Sequence, residues 1–180
     1  VADAVYEKLT DENAPQGVLT VAKAPSPEPK HTGLTIILDG VADPGNVGTV
    51  IRCADAFGAE RVILGDGSAD AFGQKTVRAA MGSLFRVPTE RASLAETIEK
   101  MKNDGYTVYA AMLDRDSVRV DAVEKGGRLA FVIGNEGHGI SDEVRGACDG
   151  SVIIPMRDDG AESLNAAVAA SVIMWEHKRI

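Results

Sequence analysis

The sequence predicts an α/β domain built on a mostly parallel sheet flanked by helices. Three observations carry this. Short, almost wholly apolar runs recur along the chain, as in strands buried on both faces. Segments with apolar residues at three- and four-residue spacing alternate with them. Glycine clusters stand between the two kinds of segment and mark loops.

Residues 1–24 read as a short helical or irregular piece that includes Pro15-Gln16-Gly17 and Val18-Leu19-Thr20-Val21. Pro25, Pro27 and Pro29 then alternate with other residues up to Lys30, the composition of an extended, semi-rigid linker. A domain boundary is expected there. Residues 1–30 are too few to bury a core, and 31–180 form the main domain.

Leu34 to Leu38 predicts the first strand, and Asn46 to Phe57 a helix with Val47, Val50, Ile51, Ala54 and Phe57 on one face. Gly58 stops that helix. Arg61 to Leu64 is a second strand. Lys75 to Met81 and Ser93 to Asn103 predict helices, and Thr107 to Met112 and Leu129 to Ile133 buried strands. A short helix from Ser141 to Ala147 follows, capped by Ser141. Val152 to Ile154 is a strand stopped by Pro155. A last helix, Ser163 to His177, is expected, with Leu164, Val168, Val172 and Trp175 on one face.

A chain of 180 residues suits one sizeable domain, and 44% hydrophobic with 26% charged residues is an ordinary globular balance. The two cysteines, Cys53 and Cys148, form no CxxC pair, so a zinc site or disulfide framework is not expected. No apolar run reaches the roughly 20 residues of a membrane helix, and no basic-then-apolar leader is present. The expected location is the cytoplasm. The net charge of −8 argues against a generic nucleic-acid binder. A local basic patch stays open, because Arg52, Arg61, Lys75, Arg78, Arg86 and Arg91 fall in one half of the chain.

Three constellations carry chemistry. In Asp39 to Arg52, a strand end, a Pro/Gly turn and a helix capped by Asn46 follow one another. Arg52 points away from the apolar face, over Gly48, and open space above that glycine is expected to let the guanidinium reach the strand–helix turn. Ligand sites in open α/β sheets lie at the carboxyl ends of strands. Arg52 is therefore a candidate phosphate or ribose contact, with a plain surface arginine as the alternative. In Gly134-Asn135-Glu136-Gly137-His138-Gly139, glycines follow a buried strand and permit close backbone approach to a ligand. Glu136 stands at the loop tip, and the alternative is a tight turn. In Ile154-Pro155-Met156 and Ser163-Leu164-Asn165, a loop leads to a helix rich in small residues, capped by Ser163. No GxSxG elbow, Walker lysine or metal-ligand spacing is present.

Taken in order, these segments resemble the SpoU-type (TrmH-like) RNA 2′-O-ribose methyltransferases of the SPOUT superfamily. The matching motifs are Asp43-Pro44-x-Asn46-x-Gly48-x-x-x-Arg52, then Gly134-Asn135-Glu136-Gly137-x-Gly139, then Ile154-Pro155-Met156 with Ser163-Leu164-Asn165. The resemblance spans residues 34–178. It implies a C-terminal trefoil knot, a homodimer, and S-adenosylmethionine as cofactor, held around Met112, Gly134, Ile154, Met156 and Leu164. It implies Arg52, Asn46, Glu136, Ser163 and Asn165 as the catalytic set, with no metal. The implied partner is RNA, rRNA in preference to tRNA, because residues before 30 resemble the end of a small N-terminal RNA-binding domain. A non-catalytic RNA-binding paralogue with the same fold is the alternative. The loop Arg157 to Glu162 departs from the family pattern in being longer and more acidic.

Overall fold

The computed structural model describes residues 2–10, 17–28, 31–157, 159–161 and 163–178. Pro15 and Gln16, on which the N-terminal resemblance rests, lie outside the described residues, as do Asp158 and Glu162 of the acidic loop.

Among the described residues seven strands form one sheet in the order β3-β2-β1-β6-β4-β7-β5, and every pairing between them is parallel. They are β1 (Leu34–Asp39), β2 (Arg61–Leu64), β3 (Thr89–Arg91), β4 (Tyr106–Ala111), β5 (Val118–Arg119), β6 (Arg128–Gly134) and β7 (Gly150–Ile153). The central strands β1 and β6 are the most apolar, as burial on both faces requires. The strands at the two edges, β3 and β5, are short and largely exposed, and apolar runs do not announce them.

Helices α2 (Pro44–Phe57), α3 (Gln74–Ala80) and α6 (Ala166–Glu176) share one face of the sheet, where Val47, Ile51, Phe131, Ile173 and Met174 form a core. On the other face α4 (Leu94–Asn103) and α5 (Asp142–Ala147) cover Ile37, Ile63, Val108 and Val132. Among the described residues no helix is long and apolar enough to cross a membrane. The short α1 (Asp3–Leu9) buries none of its own residues. Tyr6, Leu9, Val18 and Leu19 border a cleft of about 680 Å³ whose other wall is Phe72, Val77 and Arg78.

Four details differ from the sequence-based expectation. Asp43, not Asn46, caps α2: its carboxylate accepts from the Asn46 amide at 2.8 Å, and Pro44 takes the first helical position. Asn165, not Ser163, caps α6 by accepting from the amides of Ala167 and Val168 at 3.0 and 3.3 Å. The Ser141 side chain makes no capping bond on α5. Finally, α6 buries Ala166, Ala167, Ala170, Ile173 and Met174, while Val168, Val172 and Trp175 face outward. The helix is apolar on both sides, so spacing alone cannot say which side meets the sheet.

Candidate active site

The order β1-β6-β4-β7 sets the carboxyl ends of four strands side by side, and the loops leaving them converge. Asp39 at the end of β1 pairs in register with Gly134 at the end of β6. Gly134 has to be glycine. A Cβ there would stand 2.4–2.6 Å from backbone atoms of Gly139 and Ile140, because the loop folds back onto its own strand. Reciprocal backbone bonds between Asn135 and Gly139, at 3.0 and 2.9 Å, close that fold.

Asn135 organises the loop. Its side-chain oxygen accepts from the amides of Gly137 and His138 at 2.8 and 3.1 Å, and its amide nitrogen donates to the Gly40 carbonyl at 2.7 Å. The Ser141 amide donates to the Asp39 carboxylate at 2.7 Å. The first and second loops are thus tied twice. Sequence reasoning passed over Asn135 as a working residue, although an Asn after a strand end is the standard signal of a side-chain-built turn.

Capping by Asp43 leaves the Asn46 side chain unoccupied by its own helix. Its amide nitrogen donates to the Glu136 carboxylate, and its oxygen accepts from the Asn165 amide nitrogen at 3.1 Å. Three residues from three separate motifs therefore form one chain of hydrogen bonds at the exposed rim of the loops. Ser163 is exposed nearby and makes no hydrogen bond among the described residues.

Next to this rim lie two adjoining cavities of about 190 and 300 Å³. Ala111, Met112, Ser163, Leu164 and Ala169 line both. Ile154 and Met156 line the smaller, and Gly134, Asn135 and Glu136 the larger. All five residues expected around the cofactor thus border this space, which has the size of a small-molecule site and an apolar wall beside a few polar groups. A wider cleft of about 410 Å³ lies elsewhere along β4 and β7 and gathers Asp114, Asp116 and Asp149. It contains none of the motif residues apart from Met112. The Arg115 backbone amide and the Arg145 guanidinium hold the Asp114 carboxyl below its usual range. No group of His, Cys, Asp and Glu fit to hold a metal occurs among the described residues.

Arg52 stands differently from the expectation. It is exposed and engages no hydrogen bond or ion pair among the described residues. The space above Gly48 is not open, however. A Cβ on Gly48 would meet the Ala79 Cβ and the Thr76 carbonyl at 2.5 Å, so α3 occupies the position. The glycine serves helix packing, and Arg52 flanks that contact. The other basic residues of this half are mostly engaged. Arg61 pairs with Glu60 and Glu90. Arg86 pairs with Asp55, which raises its pKa. Arg91 donates to the carbonyls of Gly65, Ser68 and Ala69. Arg61, Arg86 and Arg91 thus hold neighbouring parts of the fold together and do not form a broad free basic patch.

Comparison with known proteins agrees with this geometry. A model of the SpoU rRNA Methylase family matches residues 33–175. The chain is 34% identical over 175 residues to 23S rRNA (guanosine(2553)-2′-O)-methyltransferase RlmP of Bacillus subtilis, covering 97% of this chain and 70% of that protein. It spans only 56–60% of the length of several staphylococcal relatives of the TrmH family. Among solved structures, a TrmH-family protein from Porphyromonas gingivalis superposes with a TM-score of 0.82 at 35% identity, over 97% of this chain and 70% of that one. An AdoMet-bound rRNA methyltransferase from Sinorhizobium meliloti superposes with a TM-score of 0.75 at 35% identity, over 84% and 57%. The chain belongs to the SpoU family of RNA methyltransferases.

Proposed function

We propose that residues 31–180 form the catalytic domain of an S-adenosylmethionine-dependent RNA methyltransferase that modifies a ribose 2′-hydroxyl, in rRNA in preference to tRNA. The observation that carries this is the hydrogen-bonded chain Glu136–Asn46–Asn165 beside the cavities bordered by Met112, Gly134, Ile154, Met156 and Leu164. Relatives whose names specify 2′-O-methylation of 23S rRNA and bound AdoMet support the reaction and the cofactor.

The donor set fits the cofactor. Apolar Met112, Ile154, Met156 and Leu164 would hold the adenosyl part, and the close turn at Gly134 with Glu136 would meet its hydroxyls or amine. Bound there, S-adenosylmethionine supplies an electrophilic sulfonium methyl. The protein's own task is then to bring the ribose oxygen in line and to steady the charge it gains. Asn46, Asn165 and Ser163 would orient that ribose. Arg52 carries a fixed positive charge, since guanidinium is not deprotonated in proteins. It therefore anchors phosphate and stabilises the developing alkoxide, while the hydroxyl proton leaves to water.

The same reading covers the remaining family features. A second copy is the proposed cover for the outward stripe of Val168, Val172 and Trp175 on α6, three large apolar residues of which Trp175 is 56% exposed. The C-terminal loops are proposed to thread as a trefoil knot. Support comes from β6 lying between β1 and β4 while β7 returns between β4 and β5. Residues 1–30 are proposed as the end of an N-terminal RNA-binding domain with its linker, and the cytoplasm as the location.

The test is transfer of labelled methyl to total RNA, followed by nuclease digestion to identify the modified ribose. Label in 2′-O-methyl nucleotides is expected, and base methylation alone overturns the reading. Arg52→Ala is expected to lower single-turnover transfer by about 10²–10³-fold, the range for losing one transition-state donor. Its affinity for S-adenosylhomocysteine should change less than about twofold. Cofactor binding with no RNA methylated by the wild type would favour the non-catalytic paralogue.

A further inference from the structure

We propose that Met81, at the end of α3, and Phe85, at the end of the 3-10 segment Ser83–Phe85 that follows, form a platform on which a base of the RNA substrate stacks beside Arg52. The inference rests on the methyltransferase reading above.

Geometry puts the platform next to Arg52. Residues 48, 52 and 55 share one face of α2, since four residues advance about 40° past a full turn and seven fall about 20° short of two. The two ends of that face are fixed against the next part of the chain. Gly48 packs on Thr76 and Ala79. Asp55 accepts from the Arg86 guanidinium at 2.8 Å. The segment between Ala79 and Arg86 therefore runs along the same face, and its middle passes Arg52.

That segment exposes what a folded domain normally hides. Met81 is 68% and Phe85 60% exposed, although Ser83 and Leu84 between them are buried. Met81 also stands at φ 49°, the left-handed region, where glycine is the favoured residue. A long thioether is thus held outward on a backbone that does not favour it, with Gly82 continuing the turn at φ 83°. A surface that is apolar at the centre and cationic at the edge suits an unstacked nucleotide. Its base lies on the aromatic and thioether groups, and its phosphates meet cations. Arg52 and Lys75 are both exposed and engage no partner among the described residues. Tyr6, Leu9, Val18 and Leu19, of the stretch proposed as the end of an RNA-binding domain, border the same helix α3 at Val77 and Arg78. Substrate arriving from that domain would reach Arg52 across this turn.

The experiment is methyl transfer by the full chain with total rRNA as substrate, together with photocrosslinking to 4-thiouridine-substituted rRNA. Phe85→Ala is expected to raise the RNA KM about tenfold, within the range for one lost base stack. It should leave kcat and S-adenosylhomocysteine affinity within about twofold, and Phe85→Trp should restore the KM. Met81→Gly separates fold from function: it removes the side chain and relaxes the backbone, so Tm should hold or rise while KM rises. Wild-type crosslinks are expected within residues 76–91. An unchanged KM in both variants, with crosslinks elsewhere, overturns the platform while transfer by the wild type keeps the methyltransferase reading. A change of oligomeric state in either variant, with KM unchanged, would assign the surface to a protein contact instead. A wild type that methylates no RNA overturns both.

Discussion

The two faces of the sheet are built by different rules. On one face, α2 and α6 begin with side-chain caps, Asp43 and Asn165, and their first turns meet at the loop rim. On the other, α4 and α5 begin at Ser93 and Ser141, neither of which makes a capping bond with its side chain. Both faces bury aliphatic residues, and the face under α2 and α6 holds the larger cluster. What separates them is where the polar groups go. Around α2 and α6 they bond across long stretches of chain and end in a site. Around α4 and α5 they tie down structure: Lys102 binds the Ala147 carbonyl and the Glu99 and Asp149 carboxylates, and Asp149 accepts from the Val108 amide at 2.8 Å. A face that is merely packed tolerates loss of volume at a cost in stability. A face that carries converging polar loops fails at single atoms.

Substitutions on the two faces would sharpen this contrast. Gly134→Ala is expected to have the largest effect, because the added carbon would meet the Gly139–Ile140 backbone at 2.4–2.6 Å. A stability loss of about 3 kcal/mol or more should accompany loss of cofactor binding, measured by denaturant titration and calorimetry. Ile98→Ala on α4 should cost a similar 2–5 kcal/mol as a core truncation, with transfer per folded molecule retained. If Ile98→Ala also abolished transfer in the folded state, the two faces would not be separable. Next come the caps. Asn165→Ala removes a used cap worth about 1 kcal/mol together with the bond to Asn46, so transfer should fall further than stability implies. Ser141→Ala should shift stability by less than about 0.5 kcal/mol and leave transfer unchanged. Equal behaviour of the two variants would break the comparison. The smallest effect concerns Cys148, whose thiol burial pushes up to about 12. Since the thiolate is the reactive form, iodoacetamide at pH 8 should modify Cys148 far more slowly than a small free thiol. Rapid modification would mean that the loop after α5 opens.

Much of this was legible in the residues themselves. The runs Leu34 to Leu38 and Leu129 to Ile133 read as doubly buried strands, and both lie at the centre of the sheet. Asn46, Glu136 and Asn165 were found by motif, and their mutual bonding is consistent with that grouping. The failures share a physical cause: periodicity reports on a segment's own faces and not on what covers them. Gly48 read as an open notch because no side chain of α2 fills it, yet Ala79 of another helix does. The α6 stripe of Val168, Val172 and Trp175 reads as one apolar face of the helix, yet the side bearing Ala166, Ala170, Ile173 and Met174 is the one that meets the sheet. Strands Thr89–Arg91 and Val118–Arg119 escaped because sheet edges need little hydrophobicity. Asn46 and Ser163 read as caps, but the residues that cap were Asp43 and Asn165, a shift by which Asn46 is released for the site.

The bonds that join the loops have a consequence for synthesis. Asn46 meets Glu136 across 90 residues and Asn165 across 119, and Ser141 meets Asp39 across 102. Central strand β6 enters the sheet only after β4 and β5 have been made. Contacts of such long separation close slowly and late, after local helices have formed. A nascent chain has most of its helices and strands before Asn165 is made, and a chain halted there lacks the bond that joins α6 to Asn46. The proposed site therefore closes only once α6 has docked beside α2, and the first turnover expected of it would report that this last helix has found its place.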